Sequence, residues 1–445
     1  MPASLEPTAN GHSILSAADR VWFANRRLTG KGQIVAVIDS GIAYRHEALG
    51  AKLGPTGRVV GGFDFAENDA DPNDDGPAGY HGTHVAGIVG GQDGGRSGIA
   101  PEVAFVALRV FDDQGMARPE WIESALRWVI DHRTAFAWPI TTVNLSLGAL
   151  GENAEQSLRA VLEDDLRRLR DEGVFVAVAA GNRFGAKSQV GVGYPASSVW
   201  VTPVAAVDSS GQLTGFSERQ AGILAAPGEL IRSTVPDFLT GSDGRNNDYW
   251  ATSGTSMAAP QVAATTVLAR QAWIRAGLGE PTVAQLEQAL RAGADTRVDA
   301  VTGIEFAMLN PKRTIEWIEA RAGGTAAGDT GFQTATTAVA ASTRAGEGPT
   351  AESMNFASDF DDGSPLFRVP RVRIAQFPAS GGSNSLSRTI QVGDGQSAVV
   401  PTFVVGPATV ASELEDASRP DSGAAEERMR AIDLVLSMLG RQVGR

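Results

Sequence analysis

Gln33-Ile34-Val35-Ala36-Val37-Ile38-Asp39-Ser40-Gly41 decides the fold. The run is apolar and β-branched with no polar alternation, which suits a strand buried on both faces of a parallel sheet. It ends on a carboxylate, a group that is costly to bury unless it is paired. Similar runs recur at residues 103–110, 142–147, 174–180 and 199–207. Helical patterns lie between them. Pro119 opens one that places Ile122, Leu126 and Val129 on a single face. Leu158, Val161, Leu162, Leu166 and Leu169 form another stripe, closed by Gly173. This alternation predicts an α/β three-layer sandwich with a mostly parallel central sheet and right-handed crossovers. In such sheets, sites form beyond the carboxyl ends of the strands.

Composition narrows the function classes. The chain has 445 residues, enough for one large domain plus an appendage. A formal net charge of −13 disfavours nucleic acid and anionic membranes as partners. The absence of cysteine excludes a disulfide scaffold, a thiol nucleophile and thiolate metal sites. The first twenty residues show no basic start followed by an apolar core, so a signal peptide is not expected and a cytoplasmic location is, with secretion as the alternative. No apolar run reaches the roughly 20 residues that span a bilayer.

The expected division is a short N-terminal extension (1–16), a main domain (17–320), a Gly/Ala/Thr/Ser-rich linker (321–365) and a C-terminal extension (366–445). Within the last, 389–392 and 398–405 are β-prone. Met429, Ile432, Leu436 and Leu439 mark a short amphipathic helix.

Four segments carry chemistry. Asp39 closes the first strand. His81-Gly-Thr-His84-Val-Ala-Gly87 runs from Gly-rich sequence into small apolar residues, like the start of a tightly packed helix. A metal at the His81/His84 pair is disfavoured, because no third ligand has obvious spacing. Ala179-Ala180-Gly181-Asn182 places an amide at a strand end. Thr252-Ser-Gly-Thr-Ser256-Met-Ala-Ala-Pro260 places a hydroxyl at a helix N-terminus, where free N–H groups favour negative charge. Singly, each has an ordinary reading as a cap, a turn or packing. A chance HGTHVAG alone is on the order of one in a billion per position.

Together, in the order Asp, His, Asn, Ser, the segments IDSG, HGTHVAG, AAGN and SGTSMAAP resemble the signatures of the subtilase family over about residues 17–320. The resemblance implies a serine endopeptidase with Ser256 as nucleophile, His81 as general base and acid, Asp39 as the imidazole's orienting partner and Asn182 as oxyanion donor. It implies polypeptide substrates that pair as an extended strand with two edges, Gly115 to Ala117 and Ser146-Leu147-Gly148. Arg183 follows the oxyanion Asn, and a cation at the pocket rim is expected to favour acidic or neutral side chains. The oxygen-dense stretch 64–76 resembles a family calcium loop, with Asp64, Asp69, Asp71 and Asn73 as implied ligands of a structural Ca²⁺. Two other readings stay open here: a silent peptide-binding pseudo-protease, and a maturation protease dedicated to one partner.

Overall fold

The structure is a computed structural model. It describes residues 15–322 apart from 77–78, 93–97, 150–151, 188 and 241, together with the backbone of 367–368, 389–392 and 396–399. The chain divides into two compact units, Met1–Arg371 and Val372–Arg445. In the second, β14 (Thr389–Val392) pairs antiparallel with β15 (Gln396–Val399). The terminal helix expected around Met429 to Leu439 lies outside the described residues, as do residues 400–405.

The first unit begins with α1 (Ala17–Asn25), β1 (Ile34–Asp39), β2 (Val59–Asp64), α2 (His81–Gly90), β3 (Ala104–Arg109), β4 (Met116–Ala117), α3 (Pro119–His132), β5 (Ile140–Leu145), α4 (Glu152–Asp171) and β6 (Phe175–Ala179). It continues with α5 (Phe184–Lys187), β7 (Thr202–Val207), β8 (Leu224–Pro227), β9 (Ile231–Thr234), α6 (Asp237–Thr240), β10 (Tyr249–Thr252) and α7 (Thr255–Arg275). It closes with α8 (Val283–Gly293), β11 (Asp295–Val298), β12 (Glu305–Met308), α9 (Pro311–Ala322) and β13 (Phe367–Arg368). Nine strands form one sheet in the order β11-β12-β8-β7-β6-β5-β1-β3-β2. Only the β11–β12 pair is antiparallel.

The uninterrupted apolar runs serve two cores at once. Val35 and Val37 point to one face, with α1, α2, α7, α8 and α9. Ile34, Ala36 and Ile38 point to the other, with α3 and α4. Alternate side chains of a strand leave on opposite faces, so a doubly covered strand must be apolar throughout. The predicted stripes on α3 and α4 face the core: Ile122, Leu126, Val129, Leu158, Leu162, Leu166 and Leu169 are fully buried, and Val161 partly so. Each fully buried side chain contributes about 1.5–3 kcal/mol relative to exposure. The last expected strand starts late. Val199 is 77 % exposed and β7 begins at Thr202.

Sheet order fixes the site. The strand order reverses around β1, with β3 on one side and β5 on the other. Their carboxyl ends carry Asp39, the loop to β4, and Asn144 to Ser146. Among the described residues no helix is long and apolar enough to cross a membrane.

Candidate active site

Asp39 is fully buried at the end of β1. Its Oδ1 accepts from the Ser40 N–H and lies 2.8 Å from His81 Nδ1. His81 opens α2, and Tyr80 before it provides no side-chain cap. The capping comes from elsewhere in the chain. Gly82 N–H donates to Ser40 Oγ (2.9 Å) and Thr83 N–H to Asp74 Oδ2 (3.0 Å). Thr83 Oγ1 also donates to Asp74 Oδ2 (2.5 Å). Two borrowed caps thus satisfy first-turn donors that would otherwise be orphaned. Burial pushes the Asp74 carboxyl up to about 7, against the hydrogen bonds from Thr83 and Ser40.

Close backbone approach explains the small residues here. Gly41 has φ +108°, and a Cβ on it would meet the carbonyls of Pro72 and Asn73 at 2.8 Å. A Cβ on Gly82 would lie 2.1 Å from the Gly41 carbonyl. Farther along α2, Ser233 Oγ and Thr234 Oγ1 of β9 donate to the carbonyls of His84 and Thr83. The helix carrying His81 is therefore anchored at both sides. His84 is buried beneath it, with Nε2 3.0 Å from the Trp250 carbonyl, and burial pushes its pKa down to about 3. It is a neutral core residue. At His81, burial lowers the pKa, but the Asp39 charge and hydrogen bond outweigh it and hold the imidazole above its ordinary value.

Ser256 sits on the first turn of α7. Pro260, inside that helix, has no N–H to return to the Ser256 carbonyl. Ser146 Oγ makes the missing donation (2.9 Å), while accepting from Asn144 Nδ2 (2.9 Å). The end of β5 is thereby tied to the turn that presents Ser256. Ser256 Oγ donates to the Ser146 carbonyl at 3.2 Å. Among the described residues no hydrogen bond joins it to His81, although both line one cavity. Such bonds are often long before substrate arrives.

Asn182 follows β6 and is oriented by a residue that sequence reasoning passed over. Its Oδ1 accepts from both the N–H and the Oγ1 of Thr255, each at 2.9 Å. Two donors on one oxygen fix the amide, which leaves Nδ2 toward the cleft. A Cβ at Gly254 would stand 3.5 Å from Asn182 Nδ2 and 3.7 Å from Ser256 N. The glycine leaves room between two N–H groups that an anionic oxygen can share.

The cavity is about 220 Å³. His81, Asn182 and Ser256 border it, and Leu147, Ala149, Ala179, Ala180, Tyr194 and Met257 supply apolar wall. Gly148 and Arg183 line it as well. Arg183 is not a lone cation. Its Nε lies 3.3 Å from buried Glu218 and its Nη2 3.7 Å from Glu155. Glu218 also accepts from the Gly193 N–H (3.0 Å). One positive charge against two negative ones removes the basis for an acid-favouring rim. Gly115 and Ala117 stand apart from this cavity, on the loop and short strand after β3.

The four implied calcium ligands are otherwise engaged. Asp64 Oδ2 is 2.8 Å from Arg109 Nη1, and Asp64 Oδ1 accepts from the N–H groups of Ala66 and Glu67. Asp69 Oδ1 accepts from the Asp71 N–H, Asp71 Oδ1 from the Tyr44 hydroxyl, and Asn73 donates to Asp75. Arg109, 3 % exposed at its side chain, also reaches Glu67, Asp75 and Asp113. Among the described residues no group of three or more His, Asp or Glu converges to hold a metal. The Arg109 guanidinium occupies Asp64, the one of the four implied ligands it touches, so the set as arranged does not converge on a cation.

Comparison with known proteins follows the same outline. The sequence profile of the Subtilase family matches residues 30–308. Subtilisin E of Bacillus subtilis (strain 168) is 35 % identical over 243 residues, 54 % of this chain and 56 % of that protein. A subtilisin of Bacillus pumilus is 35 % identical over 243 residues, covering 54 % of this chain and 77 % of its own. The aligned stretch thus spans little more than half of subtilisin E. A crystal structure described as a cold adapted subtilisin-like serine proteinase overlays with a TM-score of 0.48 at 28 % identity, over 63 % of this chain and 89 % of that one.

Proposed function

The chain belongs to the subtilase family, and on that premise we propose that it is a serine endopeptidase acting on extended polypeptide segments. The observation that carries the reading is the 2.8 Å contact of buried Asp39 with His81, on a cavity that Ser256 and Asn182 also line. Asp39 holds Nδ1 of the imidazole, so Nε2 faces the cleft. Ser256 Oγ attacks the scissile carbonyl carbon and its proton passes to Nε2. Collapse of the tetrahedral adduct breaks the C–N bond, and His81 returns the proton to the leaving amine. Water then repeats the sequence on the acyl-enzyme. The oxyanion sits between Asn182 Nδ2 and the Ser256 N–H. The apolar cavity wall suits a large apolar side chain before the scissile bond.

The test is hydrolysis of matched peptides across pH. Only neutral His81 accepts the Ser256 proton, and its pKa is raised above 6.5. The kcat/KM should therefore rise with pH through an apparent pKa above 6.5 and be lost below it, with Leu or Phe preferred to Glu before the cut. A rate insensitive to pH between about 5 and 9 would remove His81 from the reaction.

Asn182→Ala should lower kcat by about a hundred- to a thousand-fold with little change in KM, a magnitude known from subtilisin itself. Thr255→Val, which keeps the N–H but deletes the second donor to Oδ1, should cost less. An unchanged kcat in Asn182→Ala would place the oxyanion elsewhere.

No step is routed through calcium. With Arg109 paired to Asp64, EDTA should leave the melting temperature unchanged. Arg109→Met, which strands the buried Asp64 charge, should cost about 3–5 kcal/mol. A large drop in melting temperature with EDTA, restored by Ca²⁺, would show that the carboxylates rearrange around a metal.

A further inference from the structure

The edge that the family resemblance assigns to substrate is already paired in this chain. β13 runs antiparallel to β4, with Phe367 opposite Ala117 and Arg368 opposite Met116. The backbone around β4 says which groups do the pairing. Met116 N–H donates to Asp112 Oδ1 (2.9 Å), and the Met116 carbonyl accepts from the Asp112 N–H (2.9 Å). Both polar groups of Met116 are therefore spent on its own loop. Backbone groups alternate direction along a strand, so the N–H and C=O of Ala117 face the other way, toward Phe367. Ala117 opposite Phe367 is then the hydrogen-bonded pair of the ladder, and Arg368 opposite Met116 is not.

The edge also lies at the end of the sheet where the cleft forms. β4 follows the carboxyl end of β3, the neighbour of β1 that ends on Asp39. Ala117 shares an apolar cluster with Tyr80 and Leu147, and both of those line the cavity with His81 and Ser256. Chain length does not prevent the pairing. The 44 residues 323–366 separate α9 from β13, and fully extended they reach roughly 145 Å.

We propose that Phe367–Arg368 is a cis-acting occupant of the Met116–Ala117 edge, held by backbone pairing, and that substrate must displace it to add its own strand there. This rests on the reading of the chain as an endopeptidase. Recognition by strand addition depends on main-chain groups and tolerates many sequences. A tethered segment has a local concentration on the order of millimolar, enough to compete with a free peptide.

Two variants of the full-length protein separate backbone from side chain. Phe367→Pro deletes the N–H that faces Ala117, whereas Phe367→Ala keeps it. In a Ser256→Ala background, which cannot cut its own tail, hydrogen exchange at the Ala117 amide should be slow in Phe367→Ala and at least tenfold faster in Phe367→Pro. With Ser256 intact, Phe367→Pro should lower KM for a hexapeptide by about five- to tenfold, the factor expected from losing one or two backbone hydrogen bonds. Its kcat, and its kcat/KM on p-nitrophenyl acetate, which needs no strand edge, should stay unchanged.

Equal Ala117 exchange in both variants would overturn the pairing. Faster exchange with an unmoved KM would overturn the competition. Protection that grows with protein concentration would assign the edge to a second copy's tail and overturn the cis occupant. If no peptide or ester is turned over while the exchange responds as expected, the endopeptidase reading fails and the pairing stands.

Discussion

Replacing Ser256 with Ala should lower kcat on an extended peptide by about 10⁶-fold, and adding His81→Ala to it should cost almost nothing more. The magnitude is the one known for subtilisin. The reason for non-additivity is in the geometry. In the proposed mechanism His81 matters because its Nε2 takes a proton from Ser256, and once the hydroxyl is gone there is no proton to take. Asp39 acts one step back, through Nδ1 at 2.8 Å, so Asp39→Asn should lose less, about 10⁴-fold, by favouring the wrong tautomer. Residual catalysis of about 10³–10⁴ over water should survive in all of them, supplied by Asn182, the Ser256 N–H and strand binding. If the single losses multiplied in the double variant, the two residues would be acting independently and the proposed proton path would be wrong.

A large stability effect is also expected at Arg219, far in sequence from the four motifs. Its side chain is fully buried. Nη1 contacts both oxygens of Asp299 at 3.0 and 3.1 Å, Nε donates to the Ser217 carbonyl (2.9 Å), and Nη2 donates to the Thr214 carbonyl (2.5 Å). The guanidinium carbon lies 3.6 Å from the centre of the Phe184 ring. Arg219 thereby binds the 214–219 loop to the segment just after Asn182. Arg219→Met leaves Asp299 buried without its cation and should cost about 3–5 kcal/mol in urea unfolding at neutral pH. Burial raises the Asp299 pKa, but hydrogen bonds from Thr302 and Arg219 outweigh it and hold the carboxyl below its ordinary value. A depressed folded-state pKa contributes stability that is present above the unfolded value of about 3.9 and lost as pH falls through the folded one. The gap between wild type and Arg219→Met should therefore narrow in acid. A cost under about 1 kcal/mol at pH 7 would mean that Asp299 finds water or another donor.

What was legible in the sequence follows from how local each signal is. β1, β3, β5 and β6 were readable within a few residues, because burial on both faces forces consecutive apolar side chains. The helix stripes were readable for the same reason. Val199 misled, since it opens the apolar run Val199-Trp200-Val201 yet is exposed, and β7 starts only at Thr202. The four candidate site residues were legible because each sits in a short segment whose neighbours are dictated by contact. Gly41 and Gly82 are small because each must approach other backbone. The supporting residues were not legible. Asp74 and Ser40 cap α2 from other segments, Thr255 turns the Asn182 amide, and Ser146 replaces the donor that Pro260 lacks. Each depends on partners far away in the chain. Arg109 shows the limit most clearly: Asp64 reads as a ligand in an oxygen-dense loop, but its near partner is a guanidinium from the end of β3, which no local pattern announces. Arg183 likewise read as a cation at the pocket rim, with no local sign of Glu218 and Glu155 beside it.

The central claim is that folding makes one hydroxyl, that of Ser256, a nucleophile. It is tested most directly by treating the full-length protein with a fluorophosphonate and locating the adduct by peptide mass spectrometry. The account predicts a single adduct on Ser256, formed in wild type and greatly slowed in His81→Ala. An adduct on another residue, or none in correctly folded wild-type protein, would contradict it.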